Sequence, residues 1–431
     1  MGREDALGRR RQRRGSPLHR ALARLRNAAD TRASAPAVLK AAWAEHRVAL
    51  MAALTAKLGD LETAEDALAE AALRAHRSWT AAIPDNPSGW LYRVALNAAR
   101  DGQRRSARHA GAAPALARHL SLTRPDALDV SPEARLALFR RCADPRLSAE
   151  QQIALMLFHL AGLDCAAIAK AFLVRESAIH QRLSRARSKL KDREGSDGET
   201  PDLSAVRSAL EVIYLQSYRN IGGGVDVEAL GRDALQLAGA LCDAGPAEPE
   251  SWALLGLMHL LEARRPARLS DEGSFVPFDR QNAEDWSASH LRAGAAAIQR
   301  TASLAERGEL YGLRAQIELT RMIARQRNEP CDAALLALHD RLVALTALPF
   351  AAVDRALVLA RLDGAQAGLD ALDGIEGDLS HYPGWHLAKA ELHARLDDAP
   401  QARQHLQAAL VMMDEGAERA FVAAKLASLP A

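Results

Sequence analysis

Apolar residues between Leu147 and Lys191 recur at helical spacing in three consecutive runs. Ile153, Met156, Leu157 and Leu160 make the first; Asp164 then stands where a cap opens a short second helix through Ile168, Ala169 and Phe172. Ile179, Leu183, Ala186 and Leu190 form the stripe of the third, which leaves Ser177, His180, Gln181 and Ser184 outward, with Arg182, Arg185 and Lys189 flanking them. A short helix, a tight turn and a longer helix with a basic flank make the helix-turn-helix pattern, whose second helix enters the major groove of DNA. Polar outer faces also occur on helical hairpins that bind nothing, and spacing alone leaves both readings open.

The same period predicts three helices from Val38 to Arg108. In the middle one Asp60 can cap and Ala64, Ala67, Leu68, Ala71 and Ala75 face inward, while Glu62, Asp66 and Glu70 form an acidic stripe with Glu65 close by. Acidic residues near a helix start also suit the helix dipole with no partner implied. Pro84, Asp85, Asn86 and Pro87 mark His76 to Ser88 as a loop. Beyond it Trp90, Leu91, Val94, Ala95 and Ala98 define a buried face, opposite which Arg93, Asn97, Arg100 and Arg104 point outward, extended by Asp101, Arg105 and Arg108. Gly102 inside this helix marks either a close backbone approach or a fray.

From Leu203 onward, Leu210, Ile213 and Tyr214, then Leu235, Leu237, Ala238 and Leu241, then Trp252, Leu255, Leu257, Met258 and Leu261 read as successive helices packed in antiparallel pairs. The run Ala360-Arg361-Leu362-Asp363-Gly364-Ala365-Gln366-Ala367 returns as Ala394-Arg395-Leu396-Asp397-Asp398-Ala399-Pro400-Gln401-Ala402, an offset of 34 residues. That is the tetratricopeptide period, with each copy at the turn between two helices, and a weaker unit spans Leu313 to Leu345. Arrays of this kind leave a concave face for a protein or peptide partner. The expected organisation is all-α: a basic, disordered tail over 1–36, a helical domain over 37–109, a linker over 110–146 holding one short helix from Leu136 to Cys142, the helix-turn-helix over 147–191, a hydrophilic break over 192–202 and a helical extension over 203–431.

Composition narrows the picture. Hydrophobic residues at 48% with aromatics at only 4% favour helices, and no β-rich stretch is visible. The net charge of +2 hides a division: 34 Lys and Arg face 22 Asp and Glu through Thr200, about +12, and 22 face 32 beyond it, about −10. Nucleic acid is therefore expected on the front half alone. Cys142, Cys165, Cys242 and Cys331 lack paired spacing, which predicts buried thiols and neither a disulfide framework nor a zinc site. The longest uncharged stretch, Gln151 to Leu163, falls short of the roughly 20 residues of a membrane helix. No apolar core follows the basic N-terminus, so the chain reads as cytoplasmic. With no phosphate loop, no His-Glu-x-x-His and no recognisable nucleophile, and with His386 and His393 two turns apart, no enzyme activity, cofactor or metal is expected.

Several of these segments resemble the extracytoplasmic-function sigma factors, which direct RNA polymerase to promoters. Leu147-Ser148-Ala149-Glu150, Gly162-Leu163-Asp164, Ile168-Ala169-Lys170-Ala171-Phe172 and the run from Gln181 to Leu190 are similar to region four, which reads the upstream −35 element. The resemblance implies DNA contacts from Arg175, Glu176, Ser177, His180, Gln181, Arg182, Ser184, Arg185 and Lys189. The run Asp60 to Ala71 is similar to region two, whose corresponding face docks on the polymerase clamp, implying polymerase contacts from Asp60, Glu62, Glu65, Asp66 and Glu70; Ala69 and Ala72 replace that family's usual Gln and Phe. Asn86-Pro87-Ser88-Gly89-Trp90-Leu91 and the helix after it are similar to the element that melts and reads the −10 sequence. That likeness implies contacts from Arg93, Asn97, Arg100, Asp101, Arg104 and Arg105, with an unstacked base held by the preceding loop.

Ala171-Phe172-Leu173-Val174, and further on Glu262-Ala263-Arg264-Arg265-Pro266-Ala267-Arg268 with Gln281 and Trp286, are similar to a subgroup carrying a long carboxy-terminal extension. Arg175 stands where that subgroup usually has Pro, and Tyr218 to Gly224 departs from its acidic Gly-Tyr segment, so only the fold is carried over there. The implied function is an alternative sigma factor that binds core RNA polymerase and promoter DNA and is regulated through its extension by a protein or peptide partner, with no membrane involved. Two other functions stay open: a helix-turn-helix activator with a repeat domain, and a repeat scaffold whose DNA-binding parts have decayed.

Overall fold

The computed structural model describes residues 35–59, 61–79, 83–109, 130–191, 203–219, 225–304, 309–346, 349–377 and 379–430. The basic tail, Asp60, residues 110–129 of the expected linker and the break at 192–202 lie outside the described residues. Among the described residues, regular structure is helical apart from one isolated bridge between Leu269 and Phe275. The chain divides into two compact units, residues 1–139 with 158–162 and residues 140–157 with 163–431.

In the first unit α1 (Ala35–Leu58), α2 (Leu61–Ser78) and α3 (Pro87–His109) each pack on the other two. Gly59, at φ +82°, ends α1 with its N–H on the Thr55 carbonyl at 2.8 Å, the left-handed stop that glycine makes without steric cost. The buried residues of α2 are Ala64, Ala67, Leu68, Ala71 and Ala75, the five that the helical period placed inward. Asn86 caps α3, its Oδ1 accepting from the Gly89 N–H at 2.8 Å, and Pro87 occupies the first turn, where no donor is needed. The loop is shorter than expected: α2 continues through His76 to Ser78 because Trp79 is buried and meets Trp90 edge-on at 5.5 Å, anchoring the last turn. No described atom lies near Gly102, so packing within the protein does not demand a glycine there.

The short helix expected around Leu136 is α4 (Pro132–Cys142), which buries Leu136, Leu138, Phe139 and Cys142. The hairpin follows. Ser148 and Gln151 form a capping box at the start of α5 (Ala149–Leu155), and Asp164 caps α6 (Cys165–Phe172) by accepting from the Ala167 N–H at 2.7 Å. Between them Met156–Leu160 forms a π turn, although Ile153, Met156, Leu157 and Leu160 are buried as the helical spacing requires. Leu173 turns the chain in the left-handed conformation, with the Val174 N–H on the Ala169 carbonyl at 3.0 Å, and α7 (Glu176–Lys191) begins three residues after Leu173.

The extension comprises α8 (Leu203–Arg219), α9 (Val225–Ala244), α10 (Pro249–Arg264), α11 (Ala288–Ala302), α12 (Leu310–Arg327), α13 (Asp332–Leu345), α14 (Pro349–Leu362), α15 (Ala365–Asp373), α16 (Pro383–Arg395), α17 (Ala399–Met412) and α18 (Ala417–Ser428). Each of these helices packs on its neighbour in sequence, and α10 also packs on α8 and α12, and α14 on α16. The turns after α12, α14 and α16 carry the left-handed residues Asn328, Gly364 and Asp397. The helix α8 also packs on α5 of the hairpin. Of the cysteines, Cys142, Cys165 and Cys242 are buried free thiols, whereas Cys331 at the start of α13 is only half-buried. No described helix is long and apolar enough to cross a membrane.

The run after α10 holds the extension together. Arg264 is buried against Glu318 of α12, donates its Nε to Gln281 Oε1 at 3.3 Å and lies 4.4 Å above the Phe278 ring. Arg265 pairs with Glu262 at 2.8 Å, and buried Arg268 reaches the Tyr218 carbonyl and Glu418 of α18. Burial disfavours both charges of the first pair, yet their mutual attraction keeps the Glu318 carboxyl below the usual glutamate range and the Arg264 guanidinium above its own. Removing one partner of such a pair costs about 3–5 kcal/mol because a bare charge stays buried. Arg264→Ala is expected to lower the unfolding free energy by about that amount, and Arg264→Met combined with Glu318→Leu to recover most of it. Urea unfolding followed by circular dichroism measures both.

Candidate functional site

On α7, Ile179, Leu183 and Ala186 are buried, which turns Ser177, Gln181 and Ser184 outward along one exposed stripe. Arg175, Glu176 and Arg185 are exposed around it. Ser188 continues the stripe; its place follows from the same period, but a lone hydroxyl gave no chemical signal. The other expected DNA contacts are partly engaged within the protein. His180 has Nδ1 at 3.7 Å from the Cys165 sulfur and Nε2 at 3.4 Å from Glu176. Arg182 is half-buried, with its guanidinium 5.5 Å from the centre of the Phe172 ring, and Lys189 donates to the Arg146 carbonyl at 3.2 Å. These two brace α7 against α6 and the preceding turn, while the stripe itself stays open.

On α3 the burial of Leu91, Ala95 and Ala98 leaves Arg93, Asn97 and Asp101 exposed at successive turns, with Arg100 half-buried beside them. Arg93 Nε donates to the Gly89 carbonyl at 3.3 Å, which ties the first residue of the stripe to the capped turn. Arg104 and Arg105 belong to α3, but their side chains lie outside the described residues.

The acidic set on α2 divides in two. Glu62 and Asp66 are exposed, and Glu70 pairs with Arg74 at 2.8 Å on the same helix. Glu65 instead lies within 3.5 Å of Arg47 on α1 and against the ring of the buried His159. Arg47 is itself buried, 4.6 Å from the Trp43 ring centre, and its pKa is pulled down by burial while Glu65 pushes it back up. Gly162, at φ +72°, lets the backbone pass so close to Arg47 that a Cβ there meets its Cδ at 2.6 Å. Leu73, 54% exposed, shares the turn-by-turn line of Glu62, Asp66 and Ala69, a large apolar side chain that the acidic pattern drew attention away from. Glu65→Ala is expected to cost about 3 kcal/mol by leaving Arg47 buried without its carboxylate. Asp66→Lys leaves the thermal midpoint nearly unchanged, and differential scanning calorimetry of the two proteins checks the contrast.

Comparison with known proteins bears on both stripes. The family model for sigma-70 region 2 matches residues 42–109, which hold α2 and α3, and that for sigma-70 region 4 matches residues 145–190, the helix-turn-helix. Residues 202–302 match a family of unknown function, DUF6596. An uncharacterized protein of Rhizobium meliloti (strain 1021) is 29% identical over 396 residues, 88% of this chain and 93% of the relative. The ECF RNA polymerase sigma factor SigM of two strains of Mycobacterium tuberculosis is 32% identical over 150 residues, which span 34% of this chain and 68% of the relative. No solved structure matches. With regions two and four in family order and more than two thirds of a sigma factor covered, this chain belongs to the ECF family of RNA polymerase sigma factors.

Proposed function

We propose that this sigma factor docks on core RNA polymerase through the exposed line Glu62, Asp66 and Leu73 of α2, opens and reads the −10 element with Arg93, Asn97, Arg100, Asp101, Arg104 and Arg105 of α3, and reads the −35 element with α7. Asp60 belongs to the same acidic run, while Glu65 and Glu70, which pair with Arg47 and Arg74 within the protein, take a lesser part in docking. The observation that carries the reading is the open stripe Ser177, Gln181 and Ser184, exposed on the second helix of a capped hairpin whose other side is packed. Its work is binding in the cytoplasm, with no chemistry of its own.

Within α7 the residues divide by role. Gln181, at the centre of the stripe, contacts base edges, and Arg185 at its side contacts phosphate. Gln181→Ala is expected to change preference among −35 variants, while Arg185→Ala weakens all of them alike and lowers the salt slope by about 1. Binding titrations over a promoter series at two salt concentrations measure this, and equal losses on every promoter from both changes contradict the assignment.

The extension is read as a tetratricopeptide-like regulatory domain that binds a protein or peptide. Its support is the 34-residue offset together with helices that pack on the next and the next but one. It acts on region four through the packing of α8 on α5, reinforced by an ion pair between Lys170 of α6 and Asp414 at 2.7 Å. Truncation after Lys191 is expected to lower promoter-specific transcription with purified core polymerase, because α5 loses its wall, while DNA affinity of the free protein stays equal or rises as an acidic body of about −10 is removed. Full or enhanced transcription from the truncated protein means that the extension inhibits and overturns this reading.

A further inference from the structure

Two elements of the hairpin meet at His180. Cys165, the first residue of α6, is buried, and its sulfur lies 3.7 Å from His180 Nδ1. One turn back along α7, Glu176 Oε1 lies 3.4 Å from His180 Nε2. Both ring nitrogens are therefore engaged within the hairpin, yet the imidazole and the carboxylate remain 63% and 56% exposed, open to an outside partner. They occupy the N-terminal part of α7, the end from which a recognition helix contacts base edges. Ser177 and Gln181 stand beside them on the open stripe.

The two contacts decide which ring nitrogen carries the hydrogen. Burial, Glu176 and Asp164 all push the Cys165 thiol up, so the sulfur keeps its proton and can donate it. Its donor reaches Nδ1, which accepts; the neutral ring then carries its hydrogen on Nε2, where Glu176 accepts it. The exposed surface of α7 thus shows a donor, the Nε2–H, beside an acceptor, the Glu176 carboxylate. The carboxylate also repels phosphate oxygens, which suits the pair to base edges better than to the DNA backbone. When Glu176 turns to a base, the thiol alone still holds the imidazole in place.

Building on the reading of α7 as the helix that enters the −35 element, we infer that Glu176 and His180 together read one G·C base pair, with Cys165 as the positioning residue of the imidazole. His180 Nε2–H donates to the guanine O6 and N7 acceptors, and Glu176 accepts from the cytosine N4 amino group. In the major groove O6 and N4 of one pair are hydrogen-bonded to each other and so lie about 3 Å apart. The 3.4 Å between the His180 and Glu176 atoms matches that spacing. An A·T pair serves less well, because its amino donor stands between two acceptors, adenine N7 and thymine O4, and both repel a carboxylate. Cytosine N4 has an acceptor on one side only.

The test uses the full chain with core RNA polymerase and a promoter library randomised over the −35 element, with bound and free pools sequenced. The parent protein is expected to prefer G·C by about tenfold at one position, the scale of a single mismatched pair. His180→Ala and Glu176→Ala each remove the preference at that position and leave the other positions as they were. Cys165→Ala weakens it, and Cys165→Ser, which keeps a donor, restores it. Magnetic resonance of protein labelled in its histidine ring nitrogens, under alkaline conditions where an ordinary imidazole is neutral, gives a second readout. His180 Nδ1 is expected to resonate as a hydrogen-bonded acceptor, and in Cys165→Ala, but not in Cys165→Ser, to move toward a free acceptor. A preference for A·T at the position, a hydrogen on Nδ1, or a uniform loss on every sequence from His180→Ala with a salt slope lowered by about 1, the mark of a phosphate contact, overturns the inference. If His180→Ala and Glu176→Ala change no preference while Gln181→Ala does, the base-pair assignment fails and the reading of α7 stands; if none of the three changes any preference, the reading of α7 fails with it.

Discussion

Three arginines within one turn and its continuation, Arg264, Arg265 and Arg268, hold the extension to a single arrangement. Each leaves the end of α10 in a different direction: the first to Glu318 on α12, the second to Glu262 and the Ser217 carbonyl of α8, the third to Tyr218 and Glu418 of α18. Because a buried guanidinium tolerates almost no place without its carboxylate, these contacts fix the relative position of helices that apolar packing alone lets slide. Pro266 starts the short 3-10 turn that carries Arg268 round to α18, a change of direction that a continued α-helix does not give. The block lies inside the stretch matched by the DUF6596 family, and the role of these residues in this chain is architectural.

The exposed stripes of α2, α3 and α7 arise from a different constraint. A helix that buries one stripe of small residues must show the opposite stripe to solvent, and α2, α3 and α7 each do so with Ala or Leu inside and charged or amide side chains outside. Alanine on the inner face lets helices approach closely, and the cap at Asn86 sets where the outward stripe of α3 begins, while Ser148 and Asp164 fix the starts of α5 and α6, on which α7 packs. Arg182 and Lys189, expected as DNA contacts, also reach the Phe172 ring and the Arg146 carbonyl within the protein.

The outer and inner faces of the short helices were legible from period alone, because burial of a helix stripe depends on residues three and four apart. The five inward residues of α2 and the stripe of α7 are examples. Glu65 was not legible in this way: its position on α2 is beside the acidic stripe, but its partners, Arg47 and His159, come from other parts of the chain. The same reason hid the roles of Arg264 and Arg268, whose carboxylates lie 54 and 150 residues away. The extent of α2 was misjudged because Trp79, an aromatic residue buried by Trp90, outweighs the loop signals that begin only at Pro84. Charge along the chain likewise separated a basic front from an acidic back, yet the pairing of Arg268 with Glu418 and of Arg314 with Glu211 becomes visible only when the helices are folded together.

All of the hairpin except residues 158–162 belongs to the same compact unit as the extension. A hairpin as small as α5, α6 and α7 buries little apolar surface by itself and gains from outside help, since the buried fraction falls with chain length. The α8 helix supplies that help by packing on α5, the side of the hairpin away from the open stripe of α7. An event that shifts α8 therefore changes the support of α5, and through it of α7, without touching the outer face of α7. Tyr214 and Tyr218 of α8 are bound in turn to the arginine turn: Tyr214 donates to Glu262 at 2.9 Å, and Arg268 holds the Tyr218 carbonyl. One continuous set of packed side chains thus runs from the interior of the extension through α8 to α5.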